Sequence, residues 1–232
     1  MDKQKLQKYI SDFLKKAEEN PDNQISQKQE RENLIQTYQS WTKEDILKMD
    51  SENLYEYISP LWAMLMWGNK RWRVNRIINM NELENLKRHL ADLIYGKEDI
   101  EKRWNSFRKN IKSIGPAMMS EILCKTHPND YIIWNRRALI GLNVLEVEGL
   151  PRYDYQLTGK VYKYLCEVER EISNELVKNG FEDNSLFGVD YFIWEELQVA
   201  DKLSEVSVGK TKKQDDNDFK APQKYEFIHD EV

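Results

Sequence analysis

Cysteine, histidine and long apolar runs are what this chain has least of. Its 232 residues include 2 cysteines, Cys124 and Cys166, and 3 histidines, His89, His127 and His229. Two isolated cysteines make neither a disulfide framework nor a Cys-x-x-Cys metal site, and the histidines lack ligand spacing. No protein-built zinc or iron–sulfur site is expected, and no cofactor is called for. The longest apolar patch, Leu61 to Trp67, falls short of the roughly 18 residues a membrane span needs, and Lys70, Arg71 and Arg73 follow it closely. The Lys- and Gln-rich start lacks a secretory apolar core, so a cytoplasmic protein with no membrane partner is expected. Alternating strands are also missing; Tyr131-Ile-Ile-Trp134 is too short to build a sheet.

Helical periodicity is what remains. Leu6, Ile10, Phe13 and Ala17 recur at spacings of three or four, and Pro21 ends that helix. The same spacing links Leu83, Leu86, Leu90 and Leu93, then Ile100, Trp104, Phe107 and Ile111. A long stripe through Val161, Leu165, Val168, Ile172 and Leu176 closes at Gly180, a residue suited to the position after a helix end. Thr42-Lys-Glu-Asp45 reads as a capping box. The class is all-α. The expected organisation is an N-terminal helix over 1–20, a polar joint over 20–31, a helical body over 32–203 and a mobile polar tail over 204–232. Within that tail, Tyr225-Glu-Phe-Ile228 is a candidate docking motif.

The net charge of -5 argues against DNA as a partner, but its distribution argues for it. Asn69 to Lys125 carries 13 Lys and Arg against 7 Asp and Glu, whereas Thr126 to Ala200 carries 7 against 13. A basic middle on an acidic chain suits a phosphate-facing surface. Uneven charge scattered by chance is the bland alternative. Lys70-Arg-Trp-Arg73 interleaves charge with an aromatic, a pattern that fits backbone contact plus stacking. It equally fits a solvated helix face.

The most informative stretch runs from Ile111 to Leu123. One amphipathic helix enters a tight turn at Ser113-Ile114-Gly115, and Pro116 opens a second helix where a missing N–H is tolerated. Free amides at that second helix start, Ala117 among them, can hold a phosphate with help from the helix dipole. Such a grip reads no sequence. An ordinary helical hairpin with a glycine at its bend has the same pattern.

Beyond the turn, Tyr131-Ile-Ile-Trp-Asn135 follows Gly115, with Asn135 twenty residues after it and Arg136, Arg137 and an apolar helix next. In this arrangement the chain resembles the helix-hairpin-helix DNA glycosylases, the superfamily that includes endonuclease III. The likeness covers about residues 100–145, with the hairpin at about 100–126. It implies a glycosylase-like helical domain that binds double-stranded DNA and recognises an altered base. The wider stretch from Leu61 to Trp194 is similar, more loosely, to N-terminal modules of some modification-dependent restriction ATPases. That second likeness implies a setting in defence or restriction of foreign DNA, with a nuclease or ATPase partner.

The departures shape the expected chemistry. Asn135 stands where the superfamily has its catalytic aspartate, Ala117 where bifunctional members carry a Schiff-base lysine, Ser113 for the first hairpin glycine and Met119 for a small residue. The superfamily's four-cysteine cluster is absent. Without the lysine, strand cleavage by β-elimination is not expected. Asn135 has two readings: its amide positions a water for monofunctional base excision, or it is simply a helix N-cap. Asp130 and Asp190 are alternative carboxylates. Trp134 and Trp72 are the candidates to line a flipped-base pocket, although tryptophans in helical cores usually pack. Arg136 and Arg137 are candidate phosphate contacts. The competing functions are a non-catalytic DNA-recognition module and a helical interaction protein without a nucleic-acid role.

Overall fold

The structure, a computed structural model, describes residues 1–198. The expected tail over 204–232 lies outside them. Eleven α-helices occur among the described residues and no strand does: α1 (Lys3–Glu19), α2 (Pro21–Gln39), α3 (Lys43–Lys48), α4 (Ser51–Ile58), α5 (Lys70–Asn81), α6 (Leu83–Tyr95), α7 (Ile100–Asn110), α8 (Pro116–Thr126), α9 (Arg136–Val144), α10 (Gly159–Lys178) and α11 (Leu186–Phe192). A π-helical turn, Ile193–Leu197, continues α11.

Caps account for most boundaries. Thr42 and Asp45 form the expected capping box, and Asp50 with Asn53 forms another. Gly180, at φ 101°, closes α10: its N–H donates to Val177 O (3.0 Å) and that of Phe181 to Leu176 O (3.0 Å), the paired bonds of a Schellman end. Only α6 and α8 start without a side-chain cap.

The polar joint expected over 20–31 is helix instead. Asn20 ends α1 and caps α2, and Pro21 takes the first position of α2, where its ring fits. The segment reads as a linker because α2 has no apolar stripe; polar anchors hold it. Arg31, 6% exposed, pairs with Asp183 at 3.3 Å and lies 4.3 Å over the Tyr191 ring. Tyr38 donates to Tyr57 O at 3.1 Å. Nor is α1 an appendage, since Leu6, Ile10 and Phe13 lie in the main core. The Phe13 ring meets Phe181, Tyr191 and Phe192 edge-on at 5.2, 5.8 and 5.3 Å. At the other end of α10, Trp104 stacks on Tyr162 at 4.0 Å.

One buried ion pair ties α8 to the Trp62–Met64 turn and to α2. Glu121 and Lys125, 2% and 0% exposed on α8, meet at 2.6 Å. The Glu121 carboxylate also accepts from the backbone N–H of Trp62 (2.6 Å) and Ala63 (3.0 Å), which open the 3₁₀ turn Trp62–Met64. Lys125 sits 4.5 Å from the Trp62 ring and 5.2 Å from that of Tyr38. Deleting one partner leaves the other charge buried and uncompensated. Glu121→Ala should therefore cost about 3–5 kcal/mol, read as a lowered urea midpoint. The paired apolar replacement Glu121→Leu with Lys125→Met should recover only part of that loss, because it removes the uncompensated charge but leaves the Trp62 and Ala63 amides without their acceptor. A single variant as stable as the parent would refute this role.

Candidate nucleic-acid interface

The turn between α7 and α8 is anchored from below and clamped from the side. Ile111 and Ile114 are buried beneath it. Asn81, at the end of α5, accepts from Lys112 N–H (2.7 Å) and donates back to Lys112 O (2.9 Å) and to Ile77 O (2.7 Å). Arg73, two turns earlier on α5, donates to Ser113 O at 2.9 Å while its guanidinium lies 4.3 Å over the Trp67 ring. Ser113 takes φ 65°, the left-handed region in which a Cβ is unfavourable. The bend thus places its conformational demand on Ser113.

Gly115 is different. Its φ of -92° and ψ of 178° suit any residue, and a Cβ there would meet nothing within 4 Å. No side chain caps α8, and Pro116 has no N–H, so the first amides, those of Ala117 and Met118, have no partner inside the helix.

Ser120, fully buried one turn further on, joins this end to the second predicted element. Its hydroxyl accepts from Trp134 N–H (2.8 Å) and lies 3.1 Å from Ala117 O. The extended 131–134 segment therefore runs back along α8 and delivers Asn135 beside the α8 start. Asn135 caps α9, its Oδ1 accepting from the N–H of Arg137 (2.8 Å) and Ala138 (3.0 Å). The capping role expected as one of its two readings is present in the hydrogen bonds. Arg136 and Arg137 are exposed at the same helix start, with Arg137 stacked 3.6 Å over the half-exposed Trp194.

The other candidates are dispersed or already engaged. Asp130 is exposed beyond the opposite end of α8. Lys70 donates to Ser59 O at 2.8 Å. Arg71 makes a forked ion pair with Glu52 and stacks 3.7 Å over Tyr55. Trp134, 7% exposed, is enclosed in the core, while Trp72 on α5 is 50% exposed beside Arg76. One surface cleft lies along α5 and α6 at Met80, Asn81 and Arg88, and another between α1 and α10 at Gln7, Asn174 and Lys178. Neither includes Trp72, Trp134 or Asn135. Sequence reasoning missed Asn81, Ser120, Glu121 and Arg76. A buried Asn or Ser has no periodic signature, but Arg76 follows Arg73 at helical spacing and was readable.

Beneath this surface lie two buried carboxyls. Glu169 on α10 is fully buried and neither oxygen has a partner. Burial, and then the nearby Asp190, push it well above the usual carboxylate range. Burial also pushes Asp190 on α11 up to about 7, helped by Glu121 and opposed by Arg137, Lys125 and Arg31. Among the described residues no group of three or more His, Cys, Asp or Glu is placed to hold a metal ion, and no helix is long and apolar enough to cross a membrane. No family model, curated protein or solved structure matches the chain.

The two carboxyls set a pH dependence. Above their ordinary values of 4.5 and 3.8 the unfolded chain has released both protons while the folded chain still holds them. The folded state binds more protons, so the contribution of Asp190 falls as pH rises from about 4 through about 7, and that of Glu169 falls as pH rises above its ordinary 4.5. Glu169→Gln and Asp190→Asn should each be more stable than the parent at pH 8 and close to it at pH 4. Urea midpoints at the two pH values check this; a difference that does not grow with pH would count against it.

Proposed function

We propose that this chain is a DNA-binding protein of the helix-hairpin-helix kind, gripping the phosphate backbone of a duplex at the α8 start and the adjoining α9 start. The carrying observation is Gly115. Its backbone angles do not require glycine, and no neighbour excludes a Cβ. A group that does gain from its bareness is a phosphate approaching the uncapped amides of Ala117 and Met118. Arg136 and Arg137 supply charge beside it, and Lys112 stands exposed in the turn itself. Ser113, Ile114 and Arg73 shape the turn, while Lys70 and Arg71 would have to exchange Ser59 O and Glu52 for phosphate.

A recognition module that marks altered DNA for a nuclease or ATPase partner is the reading we favour. Two observations support it over base excision: the Asn135 Oδ1 is used twice in capping, and Trp134 is enclosed. Excision as a monofunctional N-glycosylase retains one support, the Asn135 Nδ2, which makes no hydrogen bond among the described residues.

Gly115→Ser separates the fold from the ligand. A serine at this N-cap can accept from the α8 amides and should raise stability by roughly 0.3 kcal/mol. The same hydroxyl occupies the amides a phosphate would use, so duplex affinity should fall roughly tenfold, the loss of one charge-assisted bond of about 1.5 kcal/mol. Titrating a labelled duplex at several salt concentrations measures both the loss and the counterion slope. Affinity unchanged in Gly115→Ser, or insensitive to salt, would sink the proposal. Abasic sites formed on any altered-base duplex, and lost in Asn135→Ala, would shift the reading to excision.

A further inference from the structure

The described chain stops beside the proposed interface. Gln198, the last described residue, donates from Nε2 to Arg137 O, in the first turn of α9, at 3.0 Å. The C-terminal part of the sequence has a distinct chemistry. Residues 215–232 carry Asp215, Asp216, Asp218, Glu226, Asp230 and Glu231 against Lys220 and Lys224, with Phe219, Tyr225, Phe227 and Ile228 among them. Acidic groups interleaved with aromatic rings present what a nucleic-acid strand presents: negative charge at intervals and flat faces to stack.

The α9 start and the turn before α8 have the complementary chemistry. The first offers the exposed guanidinium groups of Arg136 and Arg137, the second the uncapped α8 amides with the exposed Lys112 and, at the end of α7, Lys109. Trp194, 44% exposed under Arg137, offers a ring. Reach does not prevent the contact. Residues 199–214, when extended, span up to about 55 Å, more than the ~30 Å length of α10.

We propose that residues 215–232 bind back onto the α8–α9 face of the same molecule and occupy it in competition with a polyanion. The occupant is this chain's own acidic, aromatic segment. It acts as an internal competitor that lowers both the affinity of the interface and its salt sensitivity, because salt releases the segment as it weakens the duplex contact. A tethered segment has an effective concentration near 1 mM. If it binds its own face with a dissociation constant of about 100 μM, it lowers affinity for an external ligand roughly tenfold. The competition rests on the proposed function, but the docking does not.

Two measurements on the full chain separate these. Zero-length carbodiimide cross-linking joins amines to carboxylates in direct contact. Intrachain links should run from Asp215, Asp216, Asp218, Glu226, Asp230 or Glu231 to Lys109 or Lys112, and disappear at high salt. Links confined to lysines elsewhere, such as Lys3 or Lys178, or no intrachain links at all, would overturn the docking. The second measurement is duplex affinity of Phe219→Ala/Tyr225→Ala/Phe227→Ala, which removes the rings and preserves the charge. Binding about tenfold tighter than the parent is expected; equal binding would overturn the competition. Links to Lys109 and Lys112 in a protein that binds no duplex would retain the docking and remove the DNA reading. Duplex binding without those links would do the reverse.

Discussion

The Glu121–Lys125 pair is the constraint around which the rest is arranged. A carboxylate withdrawn from water is tolerable only if its lone pairs are satisfied, and here the donors come from different elements. Lys125 lies one turn away on α8, whereas the Trp62 and Ala63 amides belong to the connection between α4 and α5. The pair therefore fixes α8 against the segment that leads into α5. Since α5 in turn holds the α7–α8 turn through Asn81 and Arg73, one buried charge determines the setting of the surface above it. Apolar packing alone would bury α8 without specifying its rotation so tightly.

How much of this was legible from sequence depends on which forces leave a pattern. Burial on one face of a helix leaves a period of 3.6, so α1, α6, α7 and α10 could be read directly, as could the Thr42 box and the Gly180 stop. Polar anchoring leaves no period. For that reason α2, held by Arg31 and Tyr38, looks like a linker, and Asn81, Ser120 and Glu121 are inconspicuous. Asn135 shows the limit from the other side. Its place opening a helix was legible, but a cap and a catalytic amide have the same sequence signature; the hydrogen bonds show the cap.

At the surface, the pertinent groups are mostly backbone. Two helix starts, α8 without a cap and α9 under Asn135, are brought together by Ser120, and the side chains near them supply charge and shape. The proposed grip, built from main-chain amides, would tolerate wide substitution around it. This also explains why residue identity alone gave an incomplete map: Lys70 and Arg71 fit the pattern by type but face Ser59 and Glu52, whereas Arg76 was overlooked.

The unpartnered Glu169 has a consequence in the accounting of protons. The formal charge of -5 supposes that every carboxylate is ionised. Burial favours the protonated form of Glu169 and pushes Asp190 up to about 7, so the folded molecule is less negative than its composition states. Folding at neutral pH must then draw protons out of the solvent. The heat of unfolding should accordingly carry a share of the buffer's own ionisation enthalpy and differ between phosphate and Tris at the same pH.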